Sequence, residues 1–225
     1  MLAVIPAKGA STRLPRKNML YLGGKPLLAW TVEAAIESKV FDEIVVSSED
    51  EEVLELAKKM STTPHRRPYQ LAVDPAGCIH VAQFVQAELE QVGKHFDYIA
   101  ILMPTCPFRS SADIKKSVEI ALGKCDGSII SVSEFSHTPF NAFQISGDGQ
   151  LSPTNPEFFG KKSQELPVAY RPNGAIFIMK AEVLRRAKSL FEPPMSAYVM
   201  PQSRSVDIDN QLDMEWATFL LNKLC

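Results

Sequence analysis

Cysteine is scarce in this chain of 225 residues: Cys78, Cys106, Cys125 and Cys225 are scattered, with no CxxC and no histidine nearby at zinc spacing. This excludes a disulfide framework or a zinc ribbon as the organising element and fits a reducing compartment. Long apolar runs are also missing, since no stretch approaches the roughly 18–20 residues of a membrane span. The opening apolar run stops at Pro6 and charge follows at once, so no secretory leader is expected and the protein is read as soluble and cytoplasmic. There is no basic excess either: 24 Lys and Arg stand against 26 Asp and Glu, a net charge of −2, which argues against general nucleic-acid binding. Neither GxxxxGK[ST] nor a GxGxxG opening a helix occurs, and the second absence counts against an NAD-dependent dehydrogenase. None of His65, His80, His95 and His137 has a partner at metal or triad spacing, so all four read as structural or exposed. Internal repeats and low-complexity segments are absent.

What is present is an ordinary globular mixture, 45% hydrophobic and 22% charged. A chain this long can bury roughly 70–75% of its unfolded surface, so it folds without metal or disulfide staples. Its length suits one large domain or one domain with a subdomain. Short β-type runs alternate with helical periods. Leu2–Ile5, EIVVS (43–47), YIAILM (98–103), GSIISV (127–132) and GAIFIM (174–179) read as strands. Between them, helices are predicted over Pro26–Ser38, after the capping residue Asp50, along Ile79, Ala82, Val85, Leu89 and Val92, and over Ser111–Leu122. This alternation predicts an α/β fold, a Rossmann-like and mostly parallel sheet with helices on both faces. A further helix is expected near Ala181–Lys188, a strand within Ser203–Ile208, and a last helix with Leu212, Trp216, Phe219 and Leu220 on one face. The rhythm breaks from Ser136 to Ala169, where four prolines and no helical period point to an insertion, a small hairpin subdomain that binds substrate or a second subunit.

Positive charge is local. LAVIPAKGASTRLPRKN runs from a strand into Lys8, Arg13, Arg16 and Lys17, with Lys25 soon after. A loop leaving the carboxyl end of a parallel strand faces the crevice where α/β proteins bind ligands. There Gly9 permits close backbone approach, and N–H groups with cationic side chains can cradle phosphate. A solvated surface loop is the alternative. Asp207 and Asp209 of DID sit two apart, so in an extended segment both carboxylates point one way, a pattern suited to magnesium with phosphate oxygens and water completing its shell. A surface turn capped by Asn210 would explain the same residues. MPTCPFR (103–109) places Thr105 and Arg109 on a proline-stiffened turn after a buried strand, which is common structure as well as a possible site. In YRPNGAIFI, Arg171 could grip a carboxylate before the Asn173-Gly174 turn, or be a surface residue.

These stretches, in this order, resemble the bacterial cytidylyltransferases that activate sialic acids and related 2-keto sugar acids, the acylneuraminate cytidylyltransferase family. PAKGASTRLPRKN resembles the family's PARGGSKRIPRKN-type loop; RRPYQLAVD (66–74), ILMPTCPFR (101–109), RPNGAIFI (171–178) and SVDIDNQLD (205–213) resemble four further blocks. The resemblance covers nearly the whole chain. It implies a nucleotidyltransferase domain with an inserted dimerisation subdomain at 136–169, acting as a homodimer. It implies that Ala7, Lys8, Gly9, Arg13, Lys17 and Asn18 hold CTP, that Arg67, Gly77 and Cys78 line the cytosine pocket, and that Asp207 and Asp209 bind Mg2+. Lys17 and Asp209 are the implied catalytic residues. Met103, Thr105, Arg109, Asn141, Arg171 and Asn173 are the implied contacts to an acidic 2-keto sugar, whose anomeric hydroxyl attacks the α-phosphorus and releases pyrophosphate. The sequence departs from the family pattern at Lys8 (usually Arg), Thr12 (Lys), Met103 (often Gln), Asn141 (often Lys) and PAGC (75–78, usually Thr/Ser-rich). RPNGAIFI points toward nine-carbon acids, whereas STRLP also occurs in the enzymes for the eight-carbon acid KDO, so that substrate stays open. A non-catalytic nucleotide-binding homologue is the alternative of another class.

Overall fold

Strand β1 (Leu2–Pro6) is buried along its whole length, as a central strand covered on both faces must be. A computed structural model describes every residue except 12, 74, 75, 125, 126 and 225, so Thr12, Asp74, Pro75, Cys125 and Cys225 lie outside the described residues. Around β1 the chain builds a seven-stranded sheet in the order β11-β7-β10-β6-β1-β4-β5. Its strands are β4 (Glu43–Ser48), β5 (Thr63–Arg66), β6 (Tyr98–Leu102), β7 (Ser128–Glu134), β10 (Tyr170–Lys180) and β11 (Met195–Val199). The pairings β1–β4, β1–β6, β4–β5 and β11–β7 are parallel, and only β10 runs against its neighbours β6 and β7. Two small hairpins lie outside this sheet, β2 (Tyr21–Leu22) with β3 (Lys25–Pro26), and β8 (Phe143–Ile145) with β9 (Leu151–Pro153).

Successive residues of a strand face opposite sides, and the core divides accordingly. Ala3 and Ile5 of β1 pack with Leu28, Val32 and Ala35 of α1 (Leu27–Ser38), Val53 and Ala57 of α2 (Glu51–Lys59), and Ile114 and Val118 of α4 (Ser111–Lys124). Leu2 and Val4 point the other way, toward Ile79, Ala82 and Val85 of α3 (Cys78–Gln91) and Val183 and Leu184 of α5 (Ala181–Arg186). Asp50 caps α2 as expected, its carboxylate accepting from Glu52 N at 2.9 Å.

Two sequence expectations fail. The strand placed within Ser203–Ile208 is instead a 3-10 turn (Gln202–Arg204) and an irregular segment, and the real strand is β11. Beta11 is an edge strand paired only with β7, and Met195 and Val199 are exposed, so it lacks a buried strand's apolar signature. In α6 (Gln211–Leu224), Leu212, Trp216 and Phe219 face solvent, and the buried stripe is Met214, Ala217 and Leu220. Two apolar stripes fit one helical period, and packing on Leu22, Leu27 and Ile208 selects between them. The 136–169 stretch leaves the sheet after β7 and rejoins it where Tyr170 pairs with Glu134, carrying the β8–β9 hairpin and short 3-10 turns between.

Candidate active site

Beta1, β4 and β6 are parallel, so the segments that follow them emerge at one edge of the sheet. The opening loop is held there by backbone geometry. Ala7 is fully buried and its N–H donates to Ser47 O at 2.9 Å, extending the β1–β4 register by one residue. A Cβ on Gly9 would lie 2.6 Å from Asp50 Cβ, so only glycine fits. The N–H groups of Gly9 and Ala10 donate to Glu49 Oε1 at 2.8 and 3.2 Å, and Asn18 Nδ2 donates to Lys8 O at 2.8 Å, folding the loop back on itself. Glu49 was not singled out in the sequence. Its signal is an acidic residue between a central parallel strand and the cap of the next helix.

The cavity bounded by this loop has a volume of about 380 Å³. Lys8, Arg13, Lys17 and Asn18 form one wall, Arg67, Gly77 and Cys78 another, and Met103 and Thr105 reach it from the turn after β6. Buried Arg67 donates through Nη2 to Ser47 O, and its Nε lies 3.8 Å from Glu49 Oε2. Burial pulls the Arg67 guanidinium down, against the pull of Glu49. Burial also pushes the Cys78 thiol up despite nearby Arg67, so it stays protonated at neutral pH and lines the site as a small apolar group. Gly77 is the N-cap residue of α3, and its N–H donates to His80 Nδ1 at 3.0 Å, which gives that histidine a structural job.

Asp207 and Asp209 stand beside this cavity. Ile208 N donates to Thr105 O at 2.9 Å, tying the DID segment to the turn after β6. The helix cap below them is made by other residues: Asp213 N donates to Asn210 Oδ1, while Asp213 Oδ2 accepts from the N–H groups of Asp209 and Asn210 at 2.8 and 3.0 Å. The Asp207 and Asp209 carboxylates are therefore not spent on capping. Asp209 receives Lys17 Nζ at 2.8 Å and Arg13 Nη1 at 2.9 Å. Burial opposes its charge, yet these two cations hold it below the usual carboxylate range. Asp207 keeps an open surface but is ringed by protein, and that burial, with the charge of Asp209, pushes its carboxyl up while Thr105 draws it down. Two hard oxygen donors without a third metal-ligating side chain, among the described residues, suit magnesium completed by phosphate and water.

Four expected substrate contacts are placed elsewhere. Arg109 is buried at 2% exposure, and its Nη1 donates to the carbonyls of Met103, Cys106 and Ala175, so it fastens the turn from beneath. Burial lowers its pKa to about 10, and it remains charged at neutral pH. Asn173 is equally buried; it accepts from Ser131 Oγ at 2.6 Å and donates to Ser205 Oγ at 2.9 Å. Asn141 lines a separate groove with Phe135, Thr138 and Leu166. Arg171 is exposed near the start of β10, at the foot of the 136–169 stretch.

Residues 2–126 match the sequence pattern of the family described as cytidylyltransferase. The chain belongs to that family. A pseudaminic acid cytidylyltransferase of Campylobacter jejuni is 31% identical over 220 residues, covering 97% of this chain and 95% of that one. A CMP-N,N'-diacetyllegionaminic acid synthase of Legionella pneumophila is 36% identical over 224 residues, 96% and 93% of the two chains. Among solved structures, a CMP:2-keto-3-deoxy-manno-octonic acid synthetase complexed with CTP superposes with a TM-score of 0.74 over 100% of this chain and 99% of that one. Its 15% identity makes it evidence for the fold alone. The cytidylyltransferase pattern covers the cationic loop, Arg67, Gly77, Cys78 and the turn after β6, so one wall after another of the cavity falls within it. No helix among the described residues is long and apolar enough to cross a membrane.

Proposed function

We infer that the chain joins CTP to a nine-carbon 2-keto sugar acid, giving a CMP-sugar and pyrophosphate. The observation that carries this reading is the meeting of Lys8, Arg13 and Lys17 with the Asp207–Asp209 pair at one cavity. The pseudaminic and legionaminic names of two relatives supply the substrate class. The eight-carbon alternative draws on the short STRLP stretch and on a likeness of fold at 15% identity. In this reading Lys8, Arg13 and Lys17 neutralise the triphosphate while Asn18, Arg67, Gly77 and Cys78 surround the nucleotide, and positioning with charge compensation does most of the catalytic work. A triphosphate that takes the Gly9 and Ala10 amides displaces the Glu49 carboxylate from them. Asp207 and Asp209 are the residues that would hold Mg2+, which when bound neutralises phosphate charge and orients the nucleotide. Lys17 and Arg13, released from Asp209, are then available to phosphate oxygens.

The reading includes a two-fold dimer formed through the 136–169 stretch, whose Ile145, Leu151, Phe159 and Val168 are all more than 60% exposed. A CTP-dependent activity and the free thiols of Cys78 and Cys106 fit the cytoplasm. The test is pyrophosphate release with CTP, ATP or GTP against a panel of eight- and nine-carbon 2-keto acids. Magnesium-dependent release is expected only with CTP and a nine-carbon acid. Equal turnover with a purine triphosphate or with KDO would refute it.

A further inference from the structure

The turn that follows Arg171 lies against the DID segment rather than in the cavity. Beta10 is irregular between Pro172 and Phe177, and within that bulge Gly174 has φ +75°. A Cβ at Gly174 would sit 3.2 Å from Asp207 Oδ2, 3.7 Å from its Cγ and 3.4 Å from Cys106 Sγ. Position 174 is thus doubly restricted, by the left-handed backbone and by a carboxylate pressed against it. Its neighbour Asn173 ties Ser131 on β7 to Ser205, two residues before Asp207. On the other side Thr105 O accepts from Ile208 N at 2.9 Å, which fixes the segment carrying Asp207, and the Thr105 side chain draws the Asp207 carboxyl down.

We propose that Gly174 and Thr105 are positioning residues for Asp207: the bulge leaves the space that the carboxylate occupies, and the threonine holds the segment that carries it. The buried Asn173, expected from sequence to touch the sugar, anchors that bulge instead. The proposal rests on Asp207 and Asp209 being the metal ligands, and the experiment separates the two claims.

Mn2+ binding in the presence of CTP and without sugar, followed by the electron paramagnetic resonance signal of free Mn2+, reads metal affinity without turnover. Asp207→Asn must weaken that affinity; if it does not, the metal reading fails. Given that loss, Gly174→Ala is expected to weaken Mn2+ binding by about 10–100-fold, as supporting residues of a metal site do. Gly93→Ala, with φ +79° and nothing within 4 Å, carries the same backbone cost without the contact and should leave affinity unchanged. Thr105→Val, which keeps the side-chain shape, should weaken binding several-fold and serves if Gly174→Ala does not fold. Wild-type Mn2+ affinity in folded Gly174→Ala, or in Thr105→Val where Gly174→Ala is unfolded, overturns the proposal.

Discussion

Asp209 is where two cations share one carboxylate, Lys17 at 2.8 Å and Arg13 at 2.9 Å. Asp209→Asn keeps the shape, removes the charge, and leaves the Asn210–Asp213 cap intact. Turnover should fall beyond the roughly 10–100-fold typical of outer-shell partners of a metal, with only a modest loss of thermal stability from the two part-exposed ion pairs. A large drop in melting temperature with normal activity per folded molecule would make it a structural residue. Arg109 is expected to behave in the opposite way. Arg109→Met strips one guanidinium nitrogen from three carbonyls, Met103, Cys106 and Ala175. Leaving buried acceptors unpaired should cost about 2–3 kcal/mol, read by denaturant unfolding, while KM for the sugar acid stays put. A raised sugar KM at unchanged stability would restore it to the substrate site. Sequence alone could not separate these two residues. Both fall just after a stretch that reads as a strand in sequence, and their roles part because Asp209 stands beside the cavity, paired with its lining residues Arg13 and Lys17, whereas Arg109 points beneath a turn.

At the scale of elements, α4 shows how a helix start can hold a sheet edge. Ser110 and Asp113 form a reciprocal cap, with Asp113 Oδ2 accepting from Ser110 N at 2.8 Å and Asp113 N donating to Ser110 Oγ at 3.2 Å. The same buried carboxylate accepts from Tyr198 of β11 at 2.8 Å and from Arg204 Nη2 at 2.7 Å. Burial disfavours its charge, but Arg204 and Ser110 more than compensate and hold Asp113 below the usual carboxylate range. A depressed folded-state pKa contributes stability that is present above the unfolded value of about 3.9 and is lost as pH falls through the folded value. Asp113→Asn should therefore lower stability near neutrality by about 2 kcal/mol, or about 4–8 °C. The gap to wild type should close as pH drops below about 4, and a gap that persists into strong acid would contradict this account. The elements legible in sequence were those with a plain local signature, continuous apolar runs for β1, β4 and β6 and helical spacing of apolar residues for α1 and α3. Beta11 and the buried face of α6 were not, because tertiary partners and not local pattern decide what they bury. The cavity wall at Lys8 and Lys17 was legible because its loop leaves a parallel strand, whereas Arg67 and Cys78 were reached only through the family resemblance. Glu49 and the network of Asn173 were hidden, since each acts through partners far away in the chain.

At the scale of the whole molecule, the cavity, the 136–169 stretch and Arg171 do not meet within one chain. Asn141 lines its own groove, Arg171 is exposed near the start of β10, and the hairpin turns Ile145 and Leu151 to solvent. A two-fold contact through that hairpin would cover the apolar residues and carry Arg171 of each subunit toward the other's cavity, since such contacts are reciprocal. Two variants inactive alone, Asp209→Asn and Arg171→Ala, test this when mixed under conditions of subunit exchange. If Arg171 serves the neighbouring site, each mixed dimer holds one site with both defects and one intact site. Random pairing makes roughly half the dimers mixed, so about a quarter of wild-type activity should return. If Arg171 serves its own subunit, every mixed site keeps one defect and nothing returns. Light scattering supplies the prior condition, a mass of twice 24.9 kDa. A strictly monomeric protein, or no recovery after exchange is demonstrated, rules out an arginine shared across the interface.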